Sequence, residues 1–226
     1  MTVIELLVLA GVAVWNLATG NLECTANVSE TRDLAAKGFE FNWLADGSGL
    51  DLLKKFKAER PDVILSYDES RGYEHPDHVR VHEWGIRAFR EAGDPDKFPE
   101  VGEPWAPSKL YYFATFSKQR MQKLSDAADA EGIEHPYAGW LKNWDTMGFE
   151  DPEITTQVDV ADYIETRSKA LLGHATQIDP DSFWFAIPDE LQKKVYPWED
   201  YTLVESHVES ELPETDLFDG IGVEAQ

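Results

Sequence analysis

The sequence predicts an α/β fold, a sheet flanked by helices, on three observations. Short apolar runs of strand length alternate with longer stretches of helical spacing. The clearest strand, Asp62-Val-Ile-Leu-Ser-Tyr67, leads through a polar, glycine-containing loop into a helix-like stretch. That is the order in which α/β folds place ligands at the carboxyl end of a strand. The chain has 226 residues and is 42% hydrophobic, a globular composition. This length suits one domain with a sizeable core and is too short for two comfortable ones.

Residues 2–10 carry helical apolar spacing (Ile4, Leu6, Leu7, Leu9), with Gly11 as a C-cap. Residues 12–17 read as a short buried strand that ends at the turn Ala18-Thr-Gly-Asn21. Residues 29–37 suit a helix capped by Ser29 and closed by Gly38, and residues 39–44 suit a strand. Residues 50–57 read as an amphipathic helix halted before Pro61. After the strand at 62–67, a helix is predicted from about residue 77 to residue 92. The stretch 95–107, punctuated by Pro and Gly, is a surface connection. A strand at 110–116, a helix at 119–131, a strand at 155–160 and a helix at 160–174 follow. Between 179 and 205, Pro180, Pro188 and Pro197 space out aromatic residues, which predicts a segment that wraps a core and adds no strand. The tail 206–226 carries six carboxylates and no Lys or Arg, so its end is expected to be loosely ordered.

The balance of 43 acidic against 20 basic residues gives a net charge of −23. It argues against nucleic-acid and anionic-membrane partners, which both demand positive potential. Cys24 is the one cysteine, so no intrachain disulfide forms and a cytoplasmic location is expected. Residues 1–17 are apolar but lack a basic leading region and carry Glu5 internally. They are read as buried protein, neither a signal peptide nor a membrane span.

The chemistry concentrates in Gly72-Tyr-Glu-His-Pro-Asp-His78. His75, His78 and His82, three of the six histidines, fall within eight residues, beside Asp68, Glu69, Glu74 and Asp77. A divalent metal takes neutral imidazole and carboxylate ligands converging from loop and helix, with neighbours that fix each imidazole tautomer. Pro76 stiffens the turn, so His75 and His78 can face one cavity at the helix start. On spacing alone, a metal or catalytic role and a surface loop with capping residues both stand. His78 and His82 have the i,i+4 spacing of paired zinc ligands, but no Glu follows His78 as His-Glu-x-x-His requires. His82 is therefore expected to be a supporting or exposed residue.

The stretch from Arg60 to His78, Arg-Pro-Asp-Val-Ile-Leu-Ser-Tyr-Asp-Glu-Ser-Arg-Gly-Tyr-Glu-His-Pro-Asp-His, is similar to a signature of the PIG-L/LmbE superfamily. The likeness extends through 110–116, Pro136-Tyr-Ala-Gly-Trp-Leu141, Ala170-Leu-Leu-Gly-His-Ala-Thr-Gln-Ile-Asp-Pro180 and Leu212-Pro-Glu-Thr-Asp-Leu-Phe218. The last two segments resemble its mycothiol S-conjugate amidase branch. This resemblance implies a Rossmann-like, mostly parallel sheet and one domain over 1–226. It implies a zinc cofactor with His78 as a ligand, and His75 as the imidazole that stabilises the tetrahedral intermediate and helps protonate the leaving amine. It further implies that Asp77 tunes a histidine, that Tyr73 donates to the oxyanion, and that His174 and Gln177 line the substrate pocket, although ordinary capping and packing serve the last two equally.

The family's opening His-Pro-Asp-Asp-Glu, which supplies two zinc ligands and the general base, has no counterpart here. The resemblance is thus to an N-terminally truncated member, with Asp46, Asp68 and Glu69 the nearest substitute carboxylates in sequence. The expected function is zinc-dependent hydrolysis of the amide in mycothiol S-conjugates, a detoxification step on a small thiol-conjugate substrate built on glucosaminyl-inositol. Two alternatives stand beside it: an inactive relative that binds a ligand or partner, and a sugar N-deacetylase. An exposed strand edge left by truncation predicts self-association into a homo-oligomer.

Overall fold

Residues 13–16, 21–24, 57, 59–69, 76–146, 150–173 and 178–222 are described in a computed structural model of the chain. They belong to two compact units. The N-terminal unit takes the described residues within 8–113, 203–212 and 217–226, and the C-terminal unit those within 114–202 and 213–216.

The N-terminal unit contains the strand run β2-β1-β3-β4. Strand β1 (Ala13–Asn16) lies antiparallel to β2 (Asn21–Cys24) and to β3 (Val63–Ser66). Only four residues separate β1 from β2, which suffices for a hairpin and is too short for a parallel crossover. Residues 17–20, most of the turn expected at 18–21, lie outside the described residues. Parallel pairing occurs between β3 and β4 (Lys109–Phe113), with Val63 opposite Lys109 and Ser66 opposite Tyr112.

Helix α1 (Pro76–Glu91) lies between β3 and β4 in sequence, the crossover that a parallel pair requires. Pro76 is tolerated in the first turn because an N–H there has no intrahelical acceptor. Val81, His82, Gly85, Ala88, Phe89 and the following Ala92 are buried, at the spacing of one helical face. That face packs on Ile64, Leu110 and Tyr112. Burying a side chain the size of Phe89 contributes about 1.5–3 kcal/mol. The helix stops before Gly93, where a Cβ would meet that of Ala106 at 3.0 Å.

In the C-terminal unit, α2 (Lys118–Glu131) starts at Ser117, whose Oγ accepts from the Arg120 N–H at 3.3 Å. It ends at Gly132, with φ 71°, the left-handed turn that glycine adopts without strain. Helices α3 (Tyr137–Asn143), α4 (Ile164–Leu172) and α5 (Asp189–Val195) follow. Strand β5 (Thr156–Asp159) is antiparallel to β6 (Trp198–Ser206), with Thr156 opposite Tyr201. The core gathers Met121, Leu124, Tyr137, Trp144, Ile187 and Tyr196.

The stretch 179–205 does more than wrap, since it supplies α5 and most of β6. Pro188 and Pro197 stand immediately before those elements, where a missing N–H interrupts no ladder. The acidic tail is anchored as well: Glu214, Leu217 and Phe218 are buried, and its last four residues lie outside the described set. The elements expected at 2–10, 29–37, 39–44 and most of 50–57 also lie outside the described residues. Among the described residues, no helix is long and apolar enough to cross a membrane.

Candidate active site

Strand β3 is buried along its whole length and delivers Tyr67, Asp68 and Glu69 at its carboxyl end. Helix α1 then opens with Pro76, Asp77 and His78 in its first turn. Strand end and helix start follow one another in the predicted order, and the loop between them, residues 70–75, lies outside the described residues. The backbone of Asp77 and His78 is placed, and their side chains lie outside the described residues. Tyr73 and His75 also lie outside them, as do His174 and Gln177, which follow α4.

His82, one turn beyond His78, is 8% exposed and sits within the buried face of α1. Its Nδ1 is 3.0 Å from the Tyr67 carbonyl oxygen. A carbonyl can only accept, so Nδ1 carries the hydrogen and donates. Nε2 faces the exposed carboxylate of Glu69 at 3.9 Å, beyond hydrogen-bonding distance. The ring packs against Tyr112, with centroids 5.3 Å apart. Burial pushes the Tyr112 hydroxyl well above the ordinary phenol range, and the charges of Glu69, Glu205 and Asp68 add to the shift against the opposing pull of Arg90. Asp68 and Glu69 therefore place negative charge beside a neutral phenol at this strand end.

The C-terminal unit holds a cluster that sequence reasoning missed. Glu199, 2% exposed, accepts from Arg120 Nη1 at 3.0 Å and from Arg167 Nη1 at 2.5 Å. Arg167 also donates to Gln192 Oε1 at 2.5 Å, and Gln192 donates onward to the Ile187 carbonyl at 3.1 Å. Beside Glu199, Asp200 accepts from Gln157 and from the Tyr196 hydroxyl, both at 2.8 Å. Burial holds the Asp200 carboxyl above its ordinary value despite these donors. A cavity of about 40 Å³ lies over the cluster, with Phe116, Phe183 and Trp184 among its walls and Arg120, Arg167 and Glu199 at its polar side. The opposed charges there engage one another. In the sequence, the adjacent acids Glu199-Asp200 within an aromatic stretch were the one available signal.

No family model matches the chain. Among curated proteins, 178 residues are 45% identical to a mycothiol S-conjugate amidase of Streptomyces coelicolor, covering 78% of this chain and 61% of that protein. Over 207 residues the chain is 32% identical to a 1D-myo-inositol 2-acetamido-2-deoxy-alpha-D-glucopyranoside deacetylase of Streptomyces avermitilis, covering 84% of this chain and 67% of that protein. The chain belongs to the PIG-L/LmbE family. A Frankia casuarinae deacetylase of the same name, numbered 2, is 33% identical over 72% of this PIG-L/LmbE chain and 53% of its own length. The chain thus spans between about half and two thirds of the length of these relatives. A solved N,N'-diacetylchitobiose deacetylase from Pyrococcus horikoshii aligns over 70% of this chain and 51% of its own, at 18% identity and a TM-score of 0.44.

The PIG-L/LmbE resemblance implies zinc, which needs three protein ligands in a catalytic site. Among the described residues, no group of three or more His, Cys, Asp or Glu side chains is placed to hold a metal ion. His82 donates Nδ1–H to a backbone carbonyl and leaves Nε2 as its one acceptor, with the Glu69 carboxylate 3.9 Å away, so these two side chains fall short of the three ligands needed. The described side chains alone do not make a zinc centre.

Proposed function

We propose that this chain carries out hydrolysis of the amide bond in mycothiol S-conjugates. The observation that carries the proposal is the 45% identity to an amidase of that name, against 33% and 32% to the two deacetylases. It is supported by the placement of Asp77 and His78 at the start of the helix that follows β3.

In amide hydrolysis water adds its oxygen to the carbonyl carbon, the C–N bond breaks, and the nitrogen leaves with a proton. This assignment gives the leaving-group proton to His75, the hydrogen bond to the developing oxyanion to Tyr73, and the orientation of an imidazole to Asp77. His78 is assigned to the metal, and His174 and Gln177 to the substrate pocket. The substrate is a small thiol conjugate on a glucosaminyl-inositol, consistent with a chain of net charge −23 that attracts no polyanion.

A second reading, sugar N-deacetylation, is favoured by one observation: the relative covered over 67% of its length is a deacetylase. The test is amine release from a mycothiol S-conjugate and from the N-acetylglucosaminyl-inositol, side by side. Faster cleavage of the conjugate is expected, together with loss of turnover in His75→Ala at unchanged folding. Preference for the acetylated sugar would overturn the amidase assignment, and no release from either would return the chain to a binding role.

A further inference from the structure

We propose that His82 is a positioning residue, pinning the second turn of α1 to the carboxyl end of β3 and thereby fixing where Asp77 and His78 begin the helix. Its catalytic consequence rests on the amide-hydrolase reading; its structural part does not.

Among the buried residues of that face, His82 is accompanied by Val81, Gly85, Ala88 and Phe89, all apolar or glycine. A polar ring in such a place is costly unless hydrogen-bonded. The bond it makes is not to its own helix but to the Tyr67 carbonyl, the first residue past β3. The adjacent residue adds a weaker link in the opposite direction, from Ser66 Oγ to the Val81 carbonyl at 3.5 Å. Strand end and helix turn are thereby joined at residues 66 with 81 and 67 with 82. Packing of the imidazole on Tyr112 of β4 leaves the ring little freedom to turn away.

The helix transmits this anchor. His78 precedes His82 by four residues, so its Cα lies about 6 Å nearer the N-terminus on the same face. A slip of α1 along β3 would carry Asp77 and His78 with it as a rigid body. Misplacement of reacting groups by about 1 Å can cost about 100-fold in rate.

The experiment uses the full chain as wild type, His82→Leu and His82→Asn. Leucine keeps the apolar volume and removes the donor. Asparagine places an amide N–H where Nδ1–H stood. Amide hydrogen exchange is read at Arg80–Glu83, whose bonds run back to the carbonyls of residues 76–79. Exchange there should quicken about tenfold in His82→Leu, the worth of one hydrogen bond at a buried group. Amides at Ala88–Glu91 should keep wild-type rates, and His82→Asn should restore those of Arg80–Glu83. Unchanged exchange in His82→Leu, or equal acceleration along all of α1, would overturn the proposal.

Turnover of the S-conjugate is measured on the same samples. The expected result is a lower kcat at constant KM in His82→Leu, recovered in His82→Asn. A wild type without turnover would sink the hydrolase reading alone, because the exchange rates still decide the role of His82.

Discussion

The ion pairs on α1 in the N-terminal unit and those around Glu199 in the C-terminal unit differ sharply in burial. Around α1, charges stay at the surface: Arg87 bonds Glu91 at 2.9 Å one turn on, and Arg90 bonds Glu205, with all four side chains at least a quarter or nearly so exposed. In the C-terminal unit, Arg120, Arg167 and Glu199 are withdrawn from water, at 6%, 10% and 2% exposure. A similar number of ion pairs therefore carries very different energies. Exposed pairs gain little over hydration. Buried ones are held by mutual dependence, because removing any member leaves another charge in a medium that cannot solvate it. Ionic contacts in this chain should be weighed by burial rather than by number.

The largest expected effect follows from that dependence. Glu199→Ala leaves two guanidinium groups without their shared carboxylate and should cost about 3–5 kcal/mol. Urea unfolding of the full chain measures it. A loss below about 1 kcal/mol, the scale of a surface pair, would erase the distinction between the two units.

The cluster was also the part of the molecule least legible in the sequence. Glu199 meets Arg120 across 79 residues and Arg167 across 32, and no local period reports pairings of that range. What local chemistry specifies was legible. The apolar Val63–Ser66 run and the periodic face of α1 appear within a residue or two of their predicted bounds. So do α2 and β5. The seven-residue α3 is too short to show a helical period. Helix α5 and strand β6 were hidden by prolines read as breaks, although Pro188 and Pro197 mark their starts. For the candidate site, spacing alone left a metal centre and a capped loop both open. Resemblance to a family chose between them, and the side chains that would decide it physically lie outside the described residues.

A smaller effect, dependent on pH, is expected at Asp200. Burial raises its carboxyl above 3.8, outweighing the donors from Gln157 and Tyr196 and the nearby Arg120. The folded protein therefore takes up this proton at a higher pH than the unfolded chain does. At neutral pH both states are ionised and the buried charge weighs against folding. As pH falls through the folded value toward the unfolded one, this residue's contribution to stability rises, and it levels off below both. Replacement by asparagine removes the dependence. The stability of wild type relative to Asp200→Asn should accordingly increase from about pH 7 to about pH 4, read from denaturant midpoints. A relative stability that falls over that interval would place the Asp200 value below its unfolded one and reverse the assignment.

The smallest expected effect lies on the surface of the N-terminal unit. Arg90 donates to Glu205 through both Nε and Nη2, a contact that raises the guanidinium pKa further, yet the arginine side chain is 60% exposed. Water and salt compete with the pair at every point, and two long side chains lose freedom to form it. A double-mutant cycle with Arg90→Ala and Glu205→Ala should give a coupling of about 0.2–1 kcal/mol. Raising the salt to about 1 M, where the screening length falls to about 3 Å, should reduce that coupling further. The penalty of Glu199→Ala should change far less under the same salt, since ions do not enter a buried cluster. If both respond alike, the Arg120, Arg167 and Glu199 cluster is open to solvent, and burial cannot be what separates the two units.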